Sequence, residues 1–254
     1  MKVFTTEKIR AWDACTIEQE PIASINLMNR ASRVFADWLA GIYTDTEQPV
    51  YILAGTGNNG GDGIAVARLL HQMFFPVKVF VCDFSGKHSA DFDAQIQALP
   101  PNNAVVVDWL KSPDSFPEIP PQALVVDALF GSGLSRPLSG SWAELIDRIN
   151  RLPNEIIAID LPSGLFADRH TNGPCVQAAR TFSFERPKLA FFFLENADRV
   201  GEWAFGSIGL HPAFEGQTDT PFHFITENIA RALVRPRGKF SHKGTFGHAL
   251  LLNG

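Results

Sequence analysis

The sequence predicts an α/β protein, a three-layer α-β-α sandwich built on a mostly parallel sheet. Two observations carry that expectation. From about residue 50 onward, short β-rich runs alternate with helical stretches, the pattern of β-α-β units. Several of these runs are apolar without polar alternation, as strands covered on both faces must be. A third observation points to function. Polar, glycine-rich segments follow three of the strands, and sheets of this kind bind ligands just beyond the carboxyl ends of their strands.

The elements follow in order. Thr5 and Thr6 can cap a helix that runs through about Glu18. Ser24 then precedes Met28, Ala31, Phe35, Trp38, Leu39 and Ile42, whose helical spacing makes one apolar face for the core. Strands are expected over residues 50–54, 77–82, 104–107, 123–127, 155–160 and 181–184. Helices are expected over 63–73, roughly 90–99, and 141–151, where Trp142, Leu145, Ile146 and Ile149 share a face.

Composition limits the possible partners. With 22 Lys and Arg against 27 Asp and Glu, the 254-residue chain has a net charge of −5. That gives no electrostatic reason to expect nucleic acid or an anionic membrane. The longest strongly apolar run, 189–194, is far short of the ~20 residues of a membrane helix. Charges at Lys2, Glu7, Lys8 and Arg10 break up any signal-peptide core. Cys15, Cys82 and Cys175 are scattered, odd in number and form no C-x-x-C, so they read as reduced thiols and the cytoplasm is expected.

The first loop, residues 55–63, contains a literal G-x-G-x-x-G, and Asp83 follows Gly60 by 23 residues. On paper this is a dinucleotide pattern, with backbone N–H groups at a helix start facing a diphosphate. Asn58, Asn59 and Asp62 are more than such a turn requires, and no Gly-Lys-Ser/Thr follows to make a P-loop. The second loop, 131–140, joins glycines that allow close backbone approach to Arg136, which can grip phosphate or carboxylate or simply pair with a surface acid. The third, 160–165, offers Asp160 and then Ser163 in a Pro-Ser-Gly turn. Leu161 and Leu165 stand where a hydrolase nucleophile elbow needs glycine. Asn59, Asp127 and Ser163 lie at or just past strand ends, where their oxygens can converge. An all-oxygen set with one negative charge suits a hard cation of low charge. Asp160 would then be a second carboxylate beside the nucleotide, free to move protons. The seven histidines show no H-E-x-x-H, which argues against zinc.

Taken together, the motifs resemble the NAD(P)H-hydrate epimerase family, also called the YjeF N-terminal domain family. The matching residues are Leu27-Met28 with Ala31, the 55–63 loop, Ala67-Arg68, Asp127 through Leu134 with Arg136-Pro137, Ile159 through Gly164, and Phe184 with Pro187-Lys188. The resemblance covers roughly residues 1–225. It implies a Rossmann-like domain that interconverts the R and S forms of hydrated NADH and NADPH, damaged cofactors with a hydroxyl on the reduced nicotinamide ring. It further implies that Asn58, Asn59, Gly60, Gly61 and Asp62 contact this substrate, as do Gly131, Ser132, Gly133, Leu134, Ser135, Arg136, Pro137 and Asp160. Asn59, Asp127 and Ser163 match positions that hold a potassium ion, and Asp160 is the expected acid–base group. One departure is visible. After Pro187-Lys188 the family often carries glycine, whereas this chain has Leu189-Ala190 and Phe191-Phe192-Phe193, leaving Lys188 open between a local role and a solvated lysine. The phenylalanine run can be core or the interface of a homo-oligomer.

Residues 226–254 resemble a linker helix and the opening of an ADP- or ATP-dependent NAD(P)H-hydrate dehydratase domain. The resemblance rests on Ser241-His242-Lys243-Gly244, Gly247 and the apolar run 249–252. That stretch is expected to be poorly anchored, with no dehydratase activity of its own. Two rival readings remain: an NAD-dependent oxidoreductase using the glycine loop and Asp83, and a non-catalytic binding module of the same fold. The module would have no reason to keep Asp160 together with Asn59, Asp127 and Ser163.

Overall fold

The computed structural model describes residues 1–101, 104–234, 238–242, 244 and 250. Helices α1 (Thr6–Gln19) and α2 (Ser24–Ile42) come first. Then follow β1 (Val50–Ala54), α3 (Asn58–Gln72), β2 (Val77–Cys82), α4 (Ala90–Gln97) and β3 (Val106–Leu110). The second half runs β4 (Leu124–Ala128), α5 (Ser141–Asn150), β5 (Ile156–Ile159), β6 (Arg180–Phe184), α6 (Ala197–Val200), β7 (Glu202–Gly206), α7 (Pro212–Gln217) and α8 (Glu227–Leu233). The seven strands form one sheet in the order β3-β2-β1-β4-β5-β6-β7, every pairing parallel.

The strands are apolar because both faces are covered. On β1, Val50, Ile52 and Ala54 join a core with Phe35, Ala36 and Leu39 of α2, Ile64 and Leu70 of α3, and Phe92 of α4. Tyr51 and Leu53 face the other way, toward Leu145, Ile146 and Ile149 of α5. This is the expected three-layer sandwich. From β1 the chain winds outward through β2 to β3, then returns to β4 and winds the opposite way to β7. The reversal leaves a crevice at the carboxyl ends of β1 and β4.

Helix α1, through Ile9 and Trp12, and Phe4 just ahead of it pack against Leu27 and Ala31 of α2 and against Ile208 and Leu210. Its anchors come from far along the chain. Trp12 Nε1 donates to His211 O (2.8 Å), Lys2 Nζ to Glu215 O (2.8 Å), and Val3 N to Phe222 O (3.0 Å).

Three details depart from expectation. The third strand is Val106–Leu110, not 104–107. It is an edge strand whose Val106 and Trp109 are 44% and 41% exposed, so apolar content does not mark its position. Its register is set by the Lys78–Asp108 ion pair (2.9 Å) and the pairing of Lys78 with Val106. The opposite edge strand, β7, was not anticipated, for the same reason: its residues are half-exposed or exposed. Third, α3 starts at Asn58 rather than 63, so most of the glycine-rich loop is helical. The glycines there serve close packing. A Cβ on Gly60 would lie 1.8 Å from the Gly55 carbonyl oxygen, and one on Gly63 2.6 Å from Ala128 Cβ.

No helix among the described residues is long and apolar enough to cross a membrane. Helix α8 is capped by Thr226 and has no buried residue. The expected apolar strand over 249–252 lies outside the described residues apart from Leu250, which is exposed.

Phe35 is fully buried between α2 and the sheet, edge-on to Phe182 at 5.9 Å. Phe35→Ala is therefore expected to cost about 3–5 kcal/mol, read as a lowered urea midpoint at unchanged slope. A cost below about 1 kcal/mol, the range of a conservative core swap, would contradict this packing.

Candidate functional site

A cleft of about 930 Å³ occupies the crevice. Its walls are Ile9, Arg10 and Asp13 of α1, Leu27 and Met28 of α2, the first turn of α3, the 129–139 loop, and Asp160 with Lys188. Of the expected substrate contacts, Asn58, Asn59, Asp62, the whole 131–137 stretch and Asp160 line it; Gly60 and Gly61 sit behind the wall, buried in α3. The α3 amino terminus has no side-chain cap, so its first backbone N–H groups are left for a ligand. Arg136 stands exposed at the rim and forms no ion pair with a described residue. A smaller depression, lined by Tyr51, His71, Phe74 and Pro76, lies at the amino-terminal end of β1 and β2, away from these groups.

Asp127 is the last residue but one of β4 and is fully buried. Its Oδ1 accepts from Ser163 Oγ–H (2.6 Å) and Leu129 N–H (3.2 Å), and its Oδ2 accepts from Ser163 N–H (2.7 Å). Ser163 Oγ accepts in turn from Phe130 N–H (2.8 Å). None of these partners is a cation. Burial pushes the Asp127 carboxyl up to about 6, against the pull of the two Ser163 hydrogen bonds. Asn59 reaches the same loop from α3: a Cβ on Gly131 would lie 3.0 Å from its Oδ1, and its buried Nδ2 has no hydrogen-bond partner among the described residues. The three expected cation ligands thus meet on residues 129–131, Asp127 and Ser163 in direct contact and Asn59 against Gly131. A buried carboxylate without a counter-charge, beside a hydroxyl, an amide and the Phe130 carbonyl, fits a hard monovalent cation.

Asp160 follows β5 directly, with φ +65°, a left-handed conformation uncommon outside glycine. Its N–H is held by Phe182 O (2.7 Å). Its Oδ1 accepts from Phe184 N–H (3.3 Å) and lies 2.7 Å from Lys188 Nζ. Lys188 is only 2% exposed and also donates to Ser183 Oγ (3.0 Å) and Phe184 O (3.3 Å), so the solvated-lysine reading is wrong. The residues after it explain its depth. Leu189 is buried, and Ala190 and Phe191 pack with Leu161 and Leu165 beneath the Asp160 loop. Phe191 of the phenylalanine run is therefore core, while Phe192 is 42% exposed.

Further carboxyls surround this pair. Burial drives Asp62 well above the usual carboxylate range and Asp160 adds to it, against a Ser32 hydroxyl 3.3 Å away. Burial also pushes Asp13 up to about 7, with Lys188 opposing and Asp160 and Glu185 adding. Glu185 is spoken for: it accepts from Ser207 Oγ (2.9 Å) and Ile208 N–H (2.9 Å) and pairs with Arg186 (3.1 Å). Sequence reasoning missed Asp13, although a carboxylate between Ile9 and Ile17 on one helical stripe was there to be seen. Asp83 does not line the cleft. Its carboxylate is engaged by Lys111, by Gly86 N–H (2.8 Å) and by His88 (3.4 Å), which removes the ribose partner that the oxidoreductase reading requires.

Known proteins resemble this chain in sequence and in fold. The family described as YjeF-related protein N-terminus matches residues 24–190. An NAD(P)H-hydrate epimerase of Lentilactobacillus buchneri is 34% identical over 222 residues, covering 85% of this chain and 99% of its own. One of Limosilactobacillus reuteri (strain DSM 20016) is 32% identical, covering 79% and 92%. The bifunctional NAD(P)H-hydrate repair enzyme Nnr of Dictyoglomus turgidum is 29% identical over all of this chain, which spans only 49% of that relative's length. The crystal structure of yeast ynu0 superposes with a TM-score of 0.68 at 20% identity, covering 89% of this chain and 98% of that one, a likeness of fold.

The Lys188–Asp160 contact is testable by stability. Lys188→Met strands a buried carboxylate and is expected to cost about 3–5 kcal/mol. Adding Asp160→Asn should restore much of that. Additive losses in a double-mutant cycle followed by chemical denaturation would show that the two do not interact.

Proposed function

The chain belongs to the family of YjeF-related protein N-termini, and on that premise we propose that it is an NAD(P)H-hydrate epimerase, interconverting the R and S forms of hydrated NADH and NADPH. One observation carries the reading at the level of chemistry: a carboxylate at the end of a buried strand, set in a strained backbone, paired with a buried lysine and lining a cleft of nucleotide size. The relatives named as epimerases, which this chain covers almost end to end, support the assignment.

The chemistry asks little of the protein. The ring nitrogen lone pair pushes the hydroxyl out, a carboxyl gives that hydroxyl its proton, and water leaves an iminium-like ring. Water then adds to the other face, its C–O bond forming as it yields a proton to a carboxylate, so nothing is consumed. Asp160 is the group for proton transfer, and Lys188 and the Phe184 N–H fix its direction. The open N–H groups of α3, the 131–137 loop and Arg136 receive the diphosphate. Asp127, Ser163 and Asn59 would hold a potassium ion, whose charge would offset the buried carboxylate and fasten the 129–131 turn beside the substrate. The oxidoreductase alternative loses its ribose acceptor with Asp83. The free cysteines are consistent with a cytoplasmic protein. The bifunctional relatives align over the whole chain and extend about as far again, which supports reading 226–254 as a linker and the opening of a second domain.

Asp160→Asn is expected to lower epimerisation by roughly 10²–10⁴, followed by NMR of R-to-S conversion per folded protein, because the change also leaves the buried Lys188 without its carboxylate and lowers the unfolding midpoint; an unimpaired variant would remove Asp160 from the chemistry. Potassium chloride should raise the melting temperature above that in tetramethylammonium chloride of equal ionic strength. The gain is about 2.7 kcal/mol at a hundredfold excess over Kd, and Asp127→Asn should abolish it. Equal melting temperatures in the two salts would dispose of the cation site.

A further inference from the structure

Besides Asp160, the cleft is lined by Asp13, Asp62, Asp91 and Glu185, none of which the mechanism above uses, and Asp91 accepts from Ser24 Oγ–H (2.8 Å). Asp13 sits mid-helix in α1 and lines the cleft with Ile9 and Ile17, whereas Asp160 comes off the end of the sheet. The neighbouring acids are engaged: Asp160 with Lys188, Glu185 with Arg186, Ser207 and Ile208, and Asp62 with Ser32. Among the described residues, the Asp13 carboxyl makes no hydrogen bond and no ion pair, so its oxygens are uncommitted. Lys188 faces both acids and is bonded to Asp160.

Inversion sets a requirement that one proton carrier does not meet. A single carboxyl on one side of the ring can expel the hydroxyl and return it, but only to the face it left. We propose that Asp13 is a second acid–base residue, serving the ring face opposite Asp160, so that the two carboxyls work as a pair across the nicotinamide. The inference rests on the epimerase reading. In one direction the Asp13 carboxyl gives its proton to the departing hydroxyl as the C–O bond breaks. Water attacks the opposite face and forms the new C–O bond, and its proton goes to the Asp160 carboxylate. Exchange with solvent water resets both groups, and the reverse reaction swaps their roles.

The surroundings of Asp13 suit this duty. Asp160, Glu185 and Lys188 face it from the loops after β5 and β6, Asp62 faces it from α3, and Arg10 stands on its own helix at the cleft wall. Arg186 lies over the adjacent Trp12 ring at 5.3 Å. Burial among these groups holds the acid near 7, so both protonation states are present at neutral pH, as a proton carrier requires.

The test uses the full chain and its Asp13→Asn and Asp13→Glu variants, with a substrate epimer carrying ¹⁸O in the ring hydroxyl. Epimerisation is read by NMR, and loss of ¹⁸O without inversion by mass spectrometry. Asp13→Asn is expected to lose roughly 10²–10⁴ in epimerisation, while one epimer, the one whose hydroxyl faces Asp160, still exchanges ¹⁸O with retention. The wild-type pH profile should show an inflection near 7 that the variant lacks, and Asp13→Glu should recover part of the rate. Epimerisation within twofold of wild type, or parallel loss of exchange and inversion from both epimers with binding intact, overturns the two-carboxyl assignment. A wild-type protein that neither epimerises nor exchanges the label above the enzyme-free rate overturns the epimerase reading itself, and this inference with it.

Discussion

Asp127 accepts three hydrogen bonds where β4 ends, two of them from Ser163 in the loop that follows β5. A fully buried carboxyl carries a desolvation cost that it can lower only by gathering donors, and the donors available are the backbone and hydroxyl of neighbouring loops. In meeting that need it draws the 129–131 turn and the 160–165 turn together. Asp160 stands three residues before Ser163, so its strained backbone and its outlook into the cleft depend on the same tie. Gly131 then allows Asn59 to close in from α3. The site therefore hangs on one side chain whose own cost is local and whose geometric effect reaches three loops.

The buried architecture was legible because burial writes itself into composition. β1, β2, β4 and β5 are largely apolar runs, and they fall where composition places them; β6, Arg180–Phe184, falls near its expected place although three of its five residues are polar. β3 and β7 are edges, half in solvent, and their residues obey no such rule. The glycine motif was legible as a place but not as a shape: Gly60 and Gly63 are small so that a helix can sit close on the sheet, a tertiary reason that reads locally as a loop. Asn59, Asp127 and Ser163 were recoverable because each lies at or just past the end of a strand. Lys188 was not, since its depth depends on Leu189, Ala190 and Phe191 folding beneath it. Asp13 was hidden by its helix, an acid on a stripe otherwise suited to packing.

Charge is partitioned along the cleft. At one end the uncapped α3 terminus, Arg136 and Arg10 supply positive potential for an anionic ligand. At the other, Asp13, Asp62, Asp160 and Glu185 crowd around Lys188 and Arg186. Burial, with the mutual repulsion of these acids as the smaller contribution, raises the affinity of Asp13 and Asp62 for protons, which makes neutral carboxyls available for chemistry at ordinary pH.

The wall formed by α1 has a history in the order of synthesis. Helix α1 is synthesised before the sheet, yet the groups that pin it and the residues just ahead of it, His211, Glu215 and Phe222, come some two hundred residues later. Contacts of such long sequence separation form late, because the loop they close is costly in entropy. A nascent chain that has emerged only as far as β6 can pair its central strands while Trp12, Ile9 and Asp13 remain without the surface they belong to. During that interval the apolar stripe of α1 stays uncovered, and the cleft it walls is completed only when the segment carrying Ile208 and Leu210 packs against it.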